Sequence, residues 1–568
     1  MGAPRAVRIV TEVAAVDRPF DYLVSDATSQ VGVGDRVRVD FNHRSVRGWV
    51  TAEVPVAGVL KPLVKWLGYG PPPSLLDLLA WAGVRWYSPL SRLLIATSPK
   101  RLVTQLPLAP PAAPLTSPVL LGSPDLAPGV IEVSPTTDPL ALILAAYEKT
   151  RERDGSLLVL VPTDAWATRL RGRLEQRGCA VASGDGEWDR MRAGWPVVVG
   201  ARGTALAPVP RVCGAVVMDA DDEAYRSQAS PTWDVTTMLR ERCARDGAPL
   251  WCTSTMPSAS LVNDAPVQRW GDAAGWPRIE VVDRRRSDPH DGVLSSAALD
   301  AAHQALRGDD AVAACVVLQR LGTGRLFACR RCGELARCEI CHQAEVEHEG
   351  QMACADVHEP RANFCRSCGA TNLKRVRVGV TTLARDVANQ LGQAVSEVTA
   401  ASDPDAALAR VVVGTEAIWQ RVRHCGVVIF ADFDQYLLAP RASARHHAVI
   451  AVGKAGRLVG PRREARGAVV LQTRRGEDPV LASLVRGDVN DLVLEDIETA
   501  RLLTLPPYGA MAEVSGDGAS VFVAALPATV RVSLGPSPFT VRAPDVSTLT
   551  SALAATTRPP GRLRVAVT

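Results

Sequence analysis

Seven cysteines lie within the 40 residues from Cys329 to Cys368, whereas the other 528 residues carry only six. They form three C-x-x-C pairs and one single cysteine: Cys329–Cys332, Cys338–Cys341, Cys354 and Cys365–Cys368. A two-residue spacing lets a tight turn aim both sulfurs at one tetrahedral Zn²⁺, so each pair is half of a site. The spacing therefore predicts two zinc ions, one of them short of a thiolate. His358, four residues after Cys354, is the candidate for that missing ligand.

Two other readings of the cysteines remain open. A disulfide framework needs an oxidising compartment and is typical of small secreted chains. A catalytic zinc keeps one coordination position open for water, and the incomplete set after Cys354 could provide it. The stretch is poor in large apolar residues, so it needs metal in order to fold, and this favours structural zinc.

The composition is that of an ordinary chain with sizeable cores, 47% apolar and 22% charged over 568 residues, and its length predicts three or more domains. No charged and then apolar leader opens the sequence, and no run of 18 apolar residues occurs. The six scattered cysteines fit a reducing compartment, so we expect a cytoplasmic protein. The net charge is only +4, but residues 1–108 carry 13 Lys and Arg against 8 Asp and Glu.

Short apolar runs with glycine turns predict a small β-barrel over the first residues, within a domain covering 1–106. A helix is predicted from Ser74, and its aromatic residues fit either the core or stacking on bases. A proline-rich linker at 107–129 follows.

Strand–helix alternation then predicts two α/β lobes, at 130–290 and 291–475. The cysteine module, 325–372, is an insertion in the second lobe. Strand-like runs, including Ser520 to Ala525, predict a small α+β domain at 476–568. The expected fold class is multidomain α/β, with an N-terminal barrel, two lobes, a zinc-binding insertion and a C-terminal domain.

Several motifs occur in the same order as in one known family: R-P-F-D-Y-L-V from Arg18, V-V-V-G-A-R-G-T-A-L-A-P-V from Val197, V-V-M-D-A-D-D from Val216, T-S-T-M-P-S from Thr253, V-G-K-A-G-R from Val452 and L-P-P-Y from Leu505. Together with the cysteine block they resemble the primosomal protein N′ (PriA) family of replication-restart helicases. The likeness spans nearly the whole chain.

The resemblance implies superfamily-two helicase lobes and an N-terminal domain that binds a DNA 3′ end. Its expected DNA-binding residues are Asp21, Phe20, Tyr22, Arg36, Arg38, Arg44 and Arg47. It also implies one zinc held by Cys329, Cys332, Cys365 and Cys368, and a second held by Cys338, Cys341 and Cys354. The family's fourth position in the second site aligns with Val357, one residue before the candidate ligand His358. The implied partners are branched and single-stranded DNA, primosome proteins, the replicative helicase or its loader, and single-stranded DNA-binding protein.

The departures from the family concern ATP. A phosphate-binding loop needs glycines and a lysine, but the corresponding stretch, Glu132 to Asp138, has neither. In the acidic box Asp219 is followed by Ala220, and in the last motif Lys454 replaces an arginine while Arg457 remains. This resembles the actinobacterial branch of the family, where helicase motifs have decayed.

From these departures we expect a fork-binding protein that is not an enzyme and does not use ATP. The alternatives are an active ATP-dependent 3′→5′ DNA helicase, and a zinc-ribbon adaptor of another nucleic-acid machine.

Overall fold

The computed structural model describes residues 4–13, 18–116, 127–287, 292–319, 327–340, 345–348, 350–354, 360–375, 380–439, 441–464, 467–533 and 538–568. These residues divide into two compact units. Unit 1 takes in 1–131, 138–268 and 496–568, and unit 2 takes in 132–137 and 269–495. None of the described helices is long and apolar enough to cross a membrane.

The short N-terminal strands form one antiparallel sheet in the order β2-β1-β4-β3-β5. Their bounds are β1 (Arg5–Thr11), β2 (Phe20–Val24), β3 (Arg36–Phe41), β4 (Arg44–Val54) and β5 (Lys65–Gly68). Alternate apolar side chains such as Val7, Val37 and Val50 face inward and are fully buried. Leu23 N–H donates to Lys61 O and Leu63 N–H to Leu23 O, both at 2.9 Å, which links β2 to the segment before β5.

Two helices follow the sheet, α1 (Pro73–Arg85) and α2 (Leu90–Thr97). Helix α1 begins at Pro73, whose missing N–H costs nothing at the first helical position. Ser74, the predicted cap, instead donates its hydroxyl to Pro210 O at 2.8 Å. Trp86 is buried, and Tyr87 contacts Phe522 with ring centroids 5.9 Å apart, so these aromatic residues pack inside unit 1.

The first lobe contains a seven-stranded sheet in the order β12-β6-β11-β10-β7-β9-β8. The elements, in chain order, are β6 (Gly129–Val133), α3 (Pro139–Thr150), β7 (Ser156–Leu160), α4 (Asp164–Glu175), β8 (Val181–Ser183), α5 (Trp188–Ala193), β9 (Val197–Gly200), β10 (Val212–Val217), α6 (Val235–Asp246), β11 (Leu250–Ser254), α7 (Ala259–Val262) and β12 (Val267–Trp270). Strands β8, β9, β7, β10 and β11 pair in parallel. The central strands are buried along their length, as a sheet covered on both faces requires.

The second lobe is built in the same way, with a six-stranded sheet in the order β13-β23-β22-β14-β21-β20. All five neighbouring pairs are parallel. Its elements, with those of the cysteine module, are β13 (Arg278–Asp283), α8 (Ser296–Leu306), β14 (Ala314–Val317), β15 (Phe327–Cys329), β16 (Val346–His348), β17 (Gln351–Ala353), β18 (Arg361–Ala362), β19 (Leu373–Arg375), α9 (Val380–Leu391), β20 (Ser396–Val398), β21 (Val411–Gly414), α10 (Ile418–Arg421), β22 (Val427–Phe430), α11 (Asp434–Leu437), α12 (Ala444–Val459), β23 (Ala468–Thr473), α13 (Pro479–Arg486) and α14 (Asn490–Leu502).

The cysteine module lies in sequence between β14 and α9 and has two sheets of its own. Strands β15 and β19 form an antiparallel pair, and β16, β17 and β18 form a three-stranded antiparallel sheet. Among the module's described residues, its hydrophobic cluster consists of Phe327, Ala336 and Met352, with Leu373 packed against them. So small a core cannot by itself order the module.

The C-terminal segment forms a four-stranded antiparallel sheet in the order β25-β26-β24-β27. Its elements are β24 (Ala510–Ser515), α15 (Ala519–Ala524), β25 (Arg531–Val532), β26 (Phe539–Ala543), α16 (Val546–Ala555) and β27 (Arg564–Val567). The strand predicted for Ser520 to Ala525 is therefore wrong, because helix α15 occupies this position. Burial of Phe522 and Val523 on one helical face outweighs the strand propensity of the run.

Short 3-10 helices complete the described structure, at Asp26–Thr28, Asp185–Glu187, Arg202–Leu206, Glu223–Tyr225, Ala273–Gly275, Pro404–Leu408 and Arg462–Glu464. One hydrophobic cluster runs through unit 1, joining Trp49 and Leu78 of the N-terminal part to Leu160 of the first lobe and to Phe522 and Val541 of the C-terminal part. The three sequence segments of unit 1 thus share a core.

Candidate nucleic-acid interface and metal centre

Asp21 lies on the outer surface of the N-terminal sheet, directly opposite Arg8 in the β1–β2 ladder. The Arg8 guanidinium donates to both carboxylate oxygens, from Nε to Oδ1 at 2.9 Å and from Nη2 to Oδ2 at 3.2 Å. Hydrogen bonding to this carboxylate raises the pKa of Arg8. The side chains are 45% and 33% exposed, so both remain accessible to a ligand.

The two aromatic neighbours of Asp21 differ in accessibility. Phe20 is half-buried, and its ring packs edge-on against Phe41 with 4.9 Å between the ring centroids. The guanidinium of Arg18 lies 5.2 Å from the centroid of the Phe20 ring. Tyr22 is buried in the sheet's core and donates its hydroxyl to Asp40 O at 3.0 Å. Of the predicted stacking residues, only Phe20 is therefore placed where a base could contact it.

A row of cations crosses three strands on the outside of the same sheet. Arg38 pairs directly with Arg47 on one side and with Lys65 on the other. We call Lys65, Arg38 and Arg47 the cation row. Like charges directly opposite each other destabilise a sheet, and among the described residues no acid lies within ion-pair distance of any of the three. Such an arrangement favours an anionic ligand that is shared by the row.

The other two predicted arginines have different surroundings. Arg44, beside the turn between β3 and β4, is exposed. Arg36 is 6% exposed, donates to Pro99 O at 3.2 Å and lies 6.0 Å from the centre of the Trp49 ring. Burial lowers the pKa of Arg36. Its position is that of a structural side chain, which removes it from the exposed surface.

Two members of this surface, Arg8 and Lys65, were missed by sequence reasoning. Arg8 lies 13 residues before Asp21, and Lys65 lies 18 residues after Arg47. Only strand register brings them beside their partners. Their positions within alternating strands were visible in the sequence, but the pairing of those strands was not.

The predicted metal ligands Cys329, Cys332, Cys365 and Cys368 lie together, with all four sulfurs within 4.8 Å of one another. The Sγ atoms of Cys329 and Cys368, and those of Cys332 and Cys365, are 3.5 Å apart. These separations exceed a disulfide bond of about 2.05 Å. A tetrahedral zinc with bonds of about 2.3 Å needs separations of about 3.8 Å. The group therefore fits a closed four-thiolate metal site.

The second predicted site is only partly described. Cys338 is buried and Cys354 is half-buried. Cys341 and His358, as well as Val357, lie outside the described residues. The second metal site stays a prediction.

A cavity of about 360 Å³ lies beside the four-cysteine group, lined in part by Cys338 and Cys365. Three arginines line it, Arg337, Arg361 and Arg366. Each forms an ion pair with a glutamate: Arg337 with Glu334 at 3.2 Å, Arg361 with Glu345 at 2.9 Å, and Arg366 with Glu339. The buried Glu345 also lies 3.6 Å from Arg366, so these pairs tie the module's loops together.

The acidic box lies at the carboxyl end of β10. Asp219 adopts φ +51°, a conformation unusual outside glycine, and its N–H donates to Thr253 Oγ1 at 3.2 Å. Ser258 donates to Asp221 through its N–H at 3.1 Å and its hydroxyl at 2.5 Å. Backbone strain of this kind is concentrated at functional sites. The box is thus joined directly to the T-S-T-M-P-S motif.

The stretch predicted to replace the phosphate-binding loop, Glu132 to Asp138, is divided between the two units. In unit 2, Ser134 Oγ donates to Asp272 O at 2.7 Å and Arg457 Nε donates to Pro135 O at 2.9 Å. In unit 1, Asp138 caps α3 and forms a two-bond ion pair with Arg173. Lys454 lies on α12, one turn before Arg457. The residues predicted for the degenerate nucleotide site therefore belong to different units.

Arg242 on α6 holds the stretch that begins V-V-V-G-A-R-G-T. It is 4% exposed, and its guanidinium donates to Ala205 O at 2.9 Å, to Ala207 O at 2.8 Å and to Val209 O at 3.3 Å. Burial lowers its pKa to about 10. We expect Arg242→Met to lower the free energy of unfolding by about 3 kcal/mol, because three buried carbonyls lose their donor.

The matched control for this change is Arg245→Met on the same helix. Arg245 lies nearer to solvent and forms an ion pair with Glu241 at 2.8 Å, so its loss should change the free energy by at most about 0.5 kcal/mol. Denaturant unfolding of both variants provides the measurement. Equal effects would contradict the role given to Arg242.

A family model described as the 3′ DNA-binding domain of PriA matches residues 8–99. This range covers β1 to β5 and both following helices. It contains Arg8, Asp21 and the cation row.

Curated relatives match the larger part of the chain. The replication restart protein PriA of Thermotoga maritima is 23% identical over 415 residues, covering 64% of this chain and 53% of that protein. Its namesake in Treponema pallidum is 25% identical over 422 residues, covering 65% and 61%. The chain thus spans about half to three-fifths of the length of these relatives.

Comparison with solved structures gives matches of low similarity. They include Saccharomyces cerevisiae Dbp5 bound to RNA and ADP BeF3 (12% identity, TM-score 0.36, covering 67% of this chain and 91% of that one). RecG bound to a three-way DNA junction is another (10% identity, TM-score 0.36, covering 65% and 44%). The prediction that the chain is not an enzyme is wrong, because the replication restart proteins to which it is related point to an enzyme.

Proposed function

We propose that this chain is a member of the PriA family of replication restart proteins, which its match to the family's 3′ DNA-binding domain and its relatives support. In this proposal it binds stalled or abandoned replication forks through a DNA 3′ end. At such forks it promotes primosome assembly and the reloading of the replicative helicase. The DNA it takes is branched or single-stranded with a free 3′ end.

The observation that carries this proposal is the outer surface of the N-terminal sheet. There an accessible carboxylate, Asp21, lies on the same small module as the cation row. An anion is needed to balance the row, and the phosphates of nucleic acid are spaced regularly enough to contact successive cations. A carboxylate repels a further phosphate, so it suits the position where the DNA backbone ends in a free 3′-hydroxyl.

The two groups have different roles in this proposal. The cation row and the exposed Arg44 contact phosphates and carry no sequence information. Asp21 accepts a hydrogen bond from the terminal 3′-hydroxyl and repels a chain that continues with another phosphate. Phe20 is placed to stack on a terminal base.

The remaining parts of the chain support assembly around the fork. We propose that the cysteine module holds two zinc ions, one in the four-cysteine group and one with Cys338, Cys341, Cys354 and His358. The proposed protein partners are primosome proteins, the replicative helicase or its loader, and single-stranded DNA-binding protein. The proposed location is the cytoplasm, in association with the nucleoid.

The first test compares two forks that differ only in the terminal group, 3′-hydroxyl or 3′-phosphate. We expect the whole chain to bind the hydroxyl fork more tightly, since the carboxylate repels an added phosphate of charge about −1.5 to −2. Fluorescence anisotropy at several salt concentrations measures both affinities. Equal binding at every salt concentration would refute recognition of the 3′ end.

A second candidate function is ATP-driven DNA unwinding. The strained Asp219 at the carboxyl end of a parallel strand, with Ser258 holding Asp221, favours a working site there. DNA-stimulated ATP hydrolysis tests it, because fork binding alone requires none. Activity that disappears in Asp219→Ala while fork binding persists would support this second function.

A further inference from the structure

Arg8 forms an ion pair of defined geometry with Asp21. The two residues are cross-strand neighbours, and both bonds of the guanidinium go to the same carboxylate. Exposed ion pairs of this kind contribute little to stability. Because the Arg8–Asp21 pair contributes little to stability, its defined geometry on an accessible surface favours a role in ligand binding.

A β-bulge lies at this position. The β1–β4 ladder pairs Arg8 with Ala52 and Ile9 with Val50, which leaves Thr51 as the extra residue. Thr51 donates its hydroxyl to Arg8 O at 3.3 Å. Bulges change the direction of neighbouring side chains and are common beside functional sites. The bulge thus fixes the backbone of Arg8, while the ion pair with Asp21 fixes its side chain.

Resting on the function proposed above, we propose that Arg8 is a specificity-determining residue for the group at the DNA 3′ end. Asp21 alone would repel both a terminal phosphate and the phosphate on the 5′ side of the last nucleotide. Arg8 balances that charge, so that the phosphate on the 5′ side is tolerated. Each carboxylate oxygen keeps a lone pair that can accept the terminal hydroxyl.

Removal of one partner releases the other, and this gives the inference its distinctive consequence. Without Asp21, Arg8 becomes an unpaired guanidinium, whose fork of donors matches a phosphate. The protein should then prefer a 3′-phosphate. Without Arg8, Asp21 is uncompensated, so overall affinity should fall while discrimination against 3′-phosphate increases.

The experiment is a double-mutant cycle on the whole chain with forks ending in 3′-hydroxyl or 3′-phosphate. Asp21→Ala is expected to invert the preference, shifting the affinity ratio by about tenfold or more towards phosphate, the effect of one charge-assisted contact. Arg8→Ala should shift the ratio in the opposite direction. Arg8→Ala combined with Asp21→Ala should bring it close to one. If circular dichroism shows that an alanine variant is misfolded, Arg8→Gln and Asp21→Asn repeat the cycle, because they remove the charges and keep polar side chains at both positions.

The outcomes separate this inference from the proposed function. A wild-type protein without preference refutes recognition of the 3′ end itself. If wild type prefers the hydroxyl but Asp21→Ala only abolishes that preference, recognition stands and the role of Arg8 is refuted. An inverted preference that disappears in the double variant establishes both.

Discussion

Replacement of Cys329 by serine is expected to release the metal of the four-cysteine group and unfold the cysteine module. The module's core contains three buried apolar residues and one that is partly buried. Each buried side chain contributes about 1.5–3 kcal/mol, while ordering each residue costs about 1–2 kcal/mol. Structural zinc contributes about 10–16 kcal/mol in small zinc-binding peptides. The metal should therefore be the module's main source of stability.

Elemental analysis and limited proteolysis provide the measurement. We expect two zinc ions in the wild-type chain and at least one fewer in Cys329→Ser, with new cleavage between residues 327 and 375. His358→Ala should be milder, because the four-cysteine group is complete without the histidine. The matched control is Cys213→Ala, a buried cysteine of the first lobe. A metal-free protein whose module resists proteolysis would contradict the prediction.

The second large effect concerns the cation row. Arg38→Ala with Arg47→Ala should weaken binding to every DNA end by about a hundredfold, since two charge-assisted phosphate contacts are lost. The slope of log affinity against log salt should become shallower by about two. The ratio between 3′-hydroxyl and 3′-phosphate forks should not change, because Asp21 and Arg8 remain.

The free energy of unfolding of the Arg38→Ala, Arg47→Ala variant is expected to change in the opposite direction to its DNA affinity. Arg38 and Arg47 face each other across the β3–β4 ladder, and opposed like charges destabilise a sheet. The free double variant should be at least as stable as wild type. A matched control replaces Arg92 and Arg101, exposed arginines outside the sheet, and should leave the salt slope nearly unchanged. If both double variants weaken binding equally, the row has no special role.

The order of elements along the chain could be predicted from the sequence because the signals for it are local. Apolar runs predicted the parallel strands, and cysteine spacing indicated the metal ligands that the structure groups together. Prediction failed where tertiary packing decides. The run at Ser520 to Ala525 has strand propensity but forms α15, since its apolar residues are buried on one face of a helix.

The site was predicted less completely than the fold, because register depends on strand pairing. Tyr22 and Arg36 have residue types that suit DNA, yet both side chains are buried. Arg8 and Lys65 gave no motif, and only their cross-strand partners reveal them. The loss of the phosphate-binding loop was visible in the sequence, but the conclusion drawn from it, that the chain is not an enzyme, did not hold.

The shared core of unit 1 has a consequence for synthesis on the ribosome. Its last segment, residues 496–568, is made after the whole of unit 2. Until then the apolar residues of the first two segments lack partners such as Phe522 and Val541. These apolar residues therefore stay without their partners while unit 2 is being synthesised. Exposed apolar surface favours aggregation during that time. The core of unit 1 is thus completed only after residues 496–568 have been made.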